Sequence, residues 1–306
     1  MKAFRAFTQG MRQGLKAPGL LLTLYLFNLA AALPVALVFR NILKSGFGNS
    51  MAIERFIEGF DYAVYQDFLT QAGPAMGAFG SLVFWVLLGY VFVSTLIAGG
   101  VLTIVGGESE KFSLGTFFAG CGRYIGRFFR LFLIFAALLS VTMLVVGAIL
   151  AAIFSAATQN ATSEVTLVVW GLIVGSIAVT VLGLLIVALD FAKIATVRLD
   201  LRSMLKATGQ SLAFIIRRLF SVVVAVILVL VTLAIGTVLY FWAASAIGMD
   251  SLWALAVVFV IQQLYVIFRI YLRVALYGSE WALHARLTPS PEQASAAPVS
   301  VAPSEA

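Results

Sequence analysis

The chain has 306 residues, of which 62% are apolar and only 11% charged, where soluble domains carry roughly 45–50% and about 25%. With a mean hydropathy of +1.07, most of it has to be surrounded by lipid rather than water, which excludes a soluble enzyme. One cysteine and one histidine allow neither an internal disulfide nor a zinc or copper site, so no metal and no other cofactor is expected.

Six stretches reach the roughly 20 apolar residues that a helix needs to cross hydrocarbon: 17–39, 80–105, 131–154, 167–189, 221–246 and 252–272. The expectation is an all-α, polytopic membrane helix bundle, one domain over residues 1–287, followed by a disordered tail over 288–306 that is rich in Pro, Ser and Ala. The first span is read as an uncleaved helix, because its apolar run exceeds the roughly 7–15 residues of a signal peptide.

Lys and Arg stay on the cytoplasmic side during insertion. Placing both termini inside leaves only Arg40, Lys44 and Arg55, three of the 20 bases, on the outside. The outer segment 40–76 sets Glu54, Glu58, Asp61 and Asp67 against those three bases. Both termini are therefore expected in the cytoplasm.

The N-terminal segment is amphipathic, with Phe4, Phe7, Met11 and Leu15 on one side and Arg5, Arg12 and Lys16 beside them. Within the first span Asn28 lies near mid-membrane, and Pro34 should kink the helix. The outer segment carries Met51, Ile53, Phe56, Ile57, Phe60, Tyr62, Tyr65, Phe68 and Leu69. These predict one or two short helices, broken near Gly59 and ended by Gly73-Pro74. Such a segment serves as a lid or interfacial element, or as a surface for a partner or ligand. Gly99-Gly100 and Gly106-Gly107 are expected to unwind or cap the second span.

A second amphipathic segment brings Phe117, Cys121, Tyr124 and Phe128 to one face, flanked by Arg123, Arg127 and Arg130. A third sets Leu201, Met204, Leu205, Thr208, Leu212, Ile215 and Leu219 against Arg202, Lys206, Arg217 and Arg218. With Gly10, Gly120 and Gly209 at comparable places, the pattern suggests three repeated units, each a cytoplasmic interfacial helix plus a two-span hairpin. Two uses of the basic flanks stand side by side. They anchor the following spans, or they hold anionic lipid headgroups or a protein partner at the cytoplasmic face. Topology already accounts for the +7 net charge, so nucleic acid is not expected as a partner.

Gly171, Gly175 and Gly183 on the fourth span form a small-residue stripe expected to pack within the bundle. Asp190 closes that span. The sharpest local expectation is an ion pair of Asp190 with Arg269 or Arg273 at the inner mouth, with Lys193 as the alternative partner. Gln262 and Gln263, like Asn28, are mid-membrane polar groups that suit interhelical hydrogen bonds.

No catalytic constellation is visible: no Ser/His pair, paired Asp or His-Glu metal motif lies in the spans, and no ATP-binding signature exists. An enzyme is not expected. The segments Ala98-Gly99-Gly100-Val101-Leu102, FFAGCGRYIGRFFRL over 117–131, Asp190-Phe191-Ala192-Lys193, and Gln262-Gln263-Leu264-Tyr265 before Arg269 resemble a group of uncharacterised bacterial six-helix inner-membrane proteins. More distantly, the chain is similar to the membrane domain fused to some glycerophosphodiester phosphodiesterases, without their catalytic domain. The resemblance implies a multi-pass protein of the bacterial inner membrane. The function expected is a non-catalytic scaffold or lipid-handling and export accessory module. The alternative is a small secondary transporter or permease, which an internal repeat and mid-membrane polar groups would suit.

Overall fold

A computed structural model of the chain describes residues 2–48, 61–107, 112–159, 163–247 and 251–288. The middle of the outer segment, with Met51, Ile53, Phe56, Ile57, Gly59 and Phe60, and the tail from 289 lie outside the described residues. Seven helices are described: α1 (Lys2–Lys16), α2 (Pro18–Phe47), α3 (Tyr62–Val105), α4 (Leu114–Thr158), α5 (Glu164–Arg198), α6 (Met204–Ser245) and α7 (Leu252–Leu287). Six of them, α2 to α7, are long and apolar enough to cross a membrane, which makes this an all-helical, multi-pass membrane protein.

The helix starts are written locally. Ser113, Ser163, Ser203 and Ser251 each turn a side-chain oxygen onto a free amide of the first turn of α4, α5, α6 and α7. Asp61 does the same for α3, accepting from Ala63 N at 2.9 Å. α2 opens on Pro18, whose missing N–H costs nothing at a first helical position.

The chain divides into two compact units: residues 1–21 with 95–306, and residues 22–94. In the smaller one, the remainder of α2 and the first part of α3 form an antiparallel pair. Phe47 stacks on Phe68 at 4.8 Å, Phe39 meets Phe79 at 5.3 Å, and Phe27 stacks on Tyr90 at 5.9 Å. Ile42, Phe47, Phe68 and Ala72 form its buried core. Gly73-Pro74 does not end a helix there. α3 runs through Pro74, and α2 likewise runs through Pro34, as membrane helices tolerate when other groups satisfy the freed backbone.

In the larger unit, burial concentrates at one end. Phe117, Tyr124, Phe128 and Leu131 of α4, Phe191, Ala192 and Ile194 of α5, Met204 and Ala207 of α6, and Val274, Ala275 and Leu283 of α7 are all buried there. We call this the core end. Toward the other end the same helices expose Leu144, Leu172, Val238 and Trp253. No more than 17% of the most apolar stretch of any span is buried.

The second and third amphipathic segments are not separate helices. Residues 114–130 and 204–218 run on into the spans as α4 and α6, with a non-helical residue at Arg218 of α6. Their apolar faces are core in part: Phe117, Tyr124 and Phe128, and likewise Met204, Thr208 and Ile215, are buried against protein, while Leu205 and Leu219 are exposed. Nor do the three glycines correspond in packing. A Cβ at Gly10 would lie 2.3 Å from Ala275 O and one at Gly120 2.7 Å from Thr103 Oγ1, while Gly209 has nothing within 4 Å.

Glycines explain the closest approaches at the core end. A Cβ on Gly100 would meet Phe117 O at 2.5 Å, so Gly99-Gly100 seat the start of α4 instead of unwinding α3. The cap is Gly106-Gly107, where Gly107 adopts φ +81°, a backbone that other residues rarely take.

Candidate functional sites: a buried ionic cluster and a basic cleft

Where α5 and α7 meet at the core end, a carboxylate is surrounded by donors. Asp190, at 1% exposure, lies 3.1 Å (Oδ1) from Lys193 Nζ and 3.0 Å (Oδ2) from Arg273 Nη2. Arg273 Nη2 also donates to Asp190 Oδ1 at 3.3 Å, and Tyr277 OH donates to the same oxygen at 3.2 Å. Arg273 lies over the Tyr277 ring at 4.7 Å, a cation–π contact that holds the guanidinium in place. Isolated charges in such a place would cost several kcal/mol each, and this one carboxylate serves two cations.

Glu280 adds a second acid. It is buried, within electrostatic reach of Asp190, Lys193 and Arg273, and neither of its oxygens accepts a hydrogen bond from the described residues. Two acids thus face two bases, three of the four buried and Arg273 reaching in from an exposed position. One turn further, Arg198 fastens the end of α5 to α7, its Nη1 lying 3.0 Å from both His284 Nδ1 and His284 O and donating to Thr288 O at 2.6 Å. Phe191 and Phe214 pack on the His284 ring.

Of the expected partners of Asp190, the structure brings in Arg273 and Lys193 together and leaves Arg269 out. Arg269 is exposed and lies 6.0 Å over the Tyr265 ring. Sequence reasoning missed Tyr277, Glu280 and His284, although 273, 277, 280 and 284 recur at helical spacing. The signal was obscured because the apolar span ends near residue 272, ahead of these positions.

The amides expected at mid-membrane differ from one another. Asn28 accepts from Tyr90 OH at 3.0 Å and donates to Leu24 O at 2.7 Å, on the edge of an otherwise apolar groove of about 630 Å³ between α2 and α3. Gln262 faces outward and is exposed, and Gln263 is half-buried. The link between α6 and α7 at this depth is aromatic instead: Thr237 Oγ1 lies 2.8 Å from Tyr265 OH, and Tyr240 stacks on Tyr265 at 4.6 Å. The stripe of Gly171, Gly175 and Gly183 meets nothing within 4 Å. It therefore packs against no described part of this chain.

The interfacial bases stand mostly exposed: Arg123, Arg130, Arg202, Lys206, Arg217 and Arg218 face outward. Arg127 instead pairs with Asp200 in the turn between α5 and α6. That hydrogen bond holds the Asp200 carboxyl below its ordinary value of 3.8. Arg123 and Arg127 also flank the Tyr124 ring at 5.4 and 5.7 Å.

A second site gathers around α1. At 3.6 residues per turn this helix carries three stripes. Ala3, Ala6, Gly10 and Gly14, with Ala17 just past the helix end, are buried; Phe4, Phe7, Met11 and Leu15 lie to one side, and Arg5, Thr8, Gln9, Arg12 and Lys16 to the other. The small stripe, missed from sequence, lets α1 pack directly on α7. A Cβ on Gly10 would fall 2.2 Å from Ser279 Oγ, and one on Gly278 2.9 Å from Gly10 Cα. Tyr271 OH fastens the contact by donating to Met11 O at 3.0 Å. The polar stripe, with Gln13 and with Arg286 of α7, lines a cleft of about 390 Å³.

No protein-family model matches the chain, and neither a curated protein nor a solved structure matches it.

Proposed function

We propose that the protein is a non-catalytic membrane module that handles anionic lipid at the cytoplasmic face of the bacterial inner membrane and presents its core end there as a scaffold. The observation that carries this reading is the uneven packing of the larger unit. Its ordered contacts gather at the end that bears the exposed bases, while the spans offer apolar surface to lipid. In the proposed orientation Arg123, Arg130, Arg202, Lys206, Arg217 and Arg218 ring the headgroup layer, where each base is worth about 1 kcal/mol with anionic lipid.

The transporter alternative draws less support. Asn28 is committed to Tyr90 and Leu24, and Gln262 faces outward, so two of the three polar groups that would mark a substrate path are bonded locally or turned away from the helix contacts. The test is extraction of the full chain in polymer-bounded membrane discs, with the retained lipids and proteins identified by mass spectrometry. Enrichment of anionic phospholipid over the bulk membrane is expected. A lipid composition equal to bulk, with no protein retained, contradicts the proposal.

A further inference from the structure

The cleft between α1 and α7 stands apart from the anchoring bases in its construction. Arg5, Arg12 and Lys16 come from one face of α1, spread over about 16 Å of helix, and Arg286 arrives from α7 to close the group. Arg286 is held in place, its Nη2 donating to Gln9 Oε1 at 3.0 Å. Among the described residues lining the cleft no carboxylate occurs; Thr8, Gln9 and Gln13 complete it. Four cations without a counter-charge repel one another, so the arrangement is most stable when an anion enters. The scaffold beneath is stiff, because the Gly10 and Gly278 contact leaves α1 no room to shift on α7.

We propose that this cleft binds a phosphate group, through Arg5, Arg12, Lys16 and Arg286 with the Gln and Thr side chains as further donors. Guanidinium groups match phosphate oxygens in paired hydrogen bonds. A volume of about 390 Å³ lies in the range of small-ligand sites and holds a phosphate with its ester substituent. The stripe of Phe4, Phe7, Met11 and Leu15 beside the bases, and the start of the first span at Pro18, set the cleft at headgroup depth. A phospholipid headgroup is therefore the source favoured over a soluble phosphate. This assignment rests on the lipid-handling reading given above and names its ligand group.

The experiment uses the full chain in neutral detergent. Modification of Arg5, Arg12 and Arg286 by phenylglyoxal is read residue by residue by mass spectrometry, in the presence of dioctanoyl phosphatidylglycerol, dioctanoyl phosphatidylcholine or inorganic phosphate. Protection of these three by the anionic lipid, with exposed Arg40 of α2 unprotected, is expected. Protection by inorganic phosphate as well also supports the phosphate site and identifies the phosphate alone as sufficient; protection by the lipid only assigns the lipid as the source. No protection by either overturns the proposal. In parallel, Arg12→Gln with Arg286→Gln should weaken binding of the anionic lipid by about thirtyfold, roughly fivefold for each base, whereas Arg40→Gln should leave it unchanged. If anionic lipid is enriched in discs from the wild type and equally in discs from the double variant, the cleft assignment fails while lipid handling stands. Loss of enrichment in the wild type itself removes the broader reading.

Discussion

Within α4 two regions of similar composition behave differently. Phe117, Tyr124, Phe128 and Leu131 are buried, while Leu144, Val145, Ile149 and Ile153, farther along the same helix, are exposed. The difference teaches where the hydrophobic effect operates. In the proposed orientation the core end borders water, so burying a side chain such as Phe128 gains about 1.5–3 kcal/mol. In hydrocarbon no such gain exists, and helices join through close van der Waals packing and hydrogen bonds. The spans follow that rule where they do touch: Gly236 receives the Phe268 ring, and Thr237 meets Tyr265.

The largest expected effect lies in the ionic cluster. Asp190→Ala leaves Lys193 buried without its carboxylate and takes the partner from the half-exposed Arg273, and a loss of about 3–5 kcal/mol is expected, enough to abolish a monodisperse folded protein. Arg269→Gln should leave thermal unfolding unchanged, because Arg269 takes no part in the cluster. Equal damage from both variants would erase the distinction between the core end and the spans.

Glycines sharpen it next. Gly10→Val forces a branched side chain into the backbone of α7 at Ala275 and Ser279, at a cost of about 1–3 kcal/mol or more, visible as increased proteolysis of the N-terminal segment. Gly171→Ala, with open space around it, should change unfolding by no more than about 1 kcal/mol and in the stabilising direction. In the smaller unit, Asn28→Leu removes the Tyr90 hydrogen bond and should cost about 0.6–2 kcal/mol, measurable as a lowered unfolding temperature in lipid discs.

The smallest effect is electrostatic. The Asp200 carboxyl is held below its ordinary value by Arg127, so the pair stabilises the fold above about pH 4 and loses its contribution as pH falls through the depressed value. Arg127→Gln should therefore lower stability slightly at pH 7, and the difference from wild type should shrink as pH falls below the ordinary carboxyl value. The exposure of both partners keeps the effect below about 1 kcal/mol.

The spans were legible because twenty apolar residues leave lipid as the only solvent; the Ser and Asp caps that start the helices went unread. What resisted reading was partner choice. The spacing of Phe117, Tyr124 and Phe128 marks an apolar face but does not say whether lipid or protein covers it; Gly99, Gly100 and Gly120 decide that, through a backbone approach visible only in three dimensions. Asp190 announced a charge in need of a partner, and two of its three candidate partners meet it. Glu280 went unread because no rule of spacing connects it to Asp190 on another helix. The stripe of Ala3, Ala6, Gly10, Gly14 and Ala17 was hidden by the more conspicuous Phe and Arg stripes beside it.

Labelling from within the bilayer tests the central claim most directly. A phospholipid carrying a photoactivatable diazirine in its acyl chain, incorporated into discs with the full chain, reports every residue that lipid reaches. The account predicts labelling at Leu144, Leu172, Val238 and Leu264, which lie on four different spans and are all more than half exposed, with none at Phe128, Leu131, Ile194 or Ala275. Labelling of the second group, or protection of the first by tight packing among the spans, would contradict it.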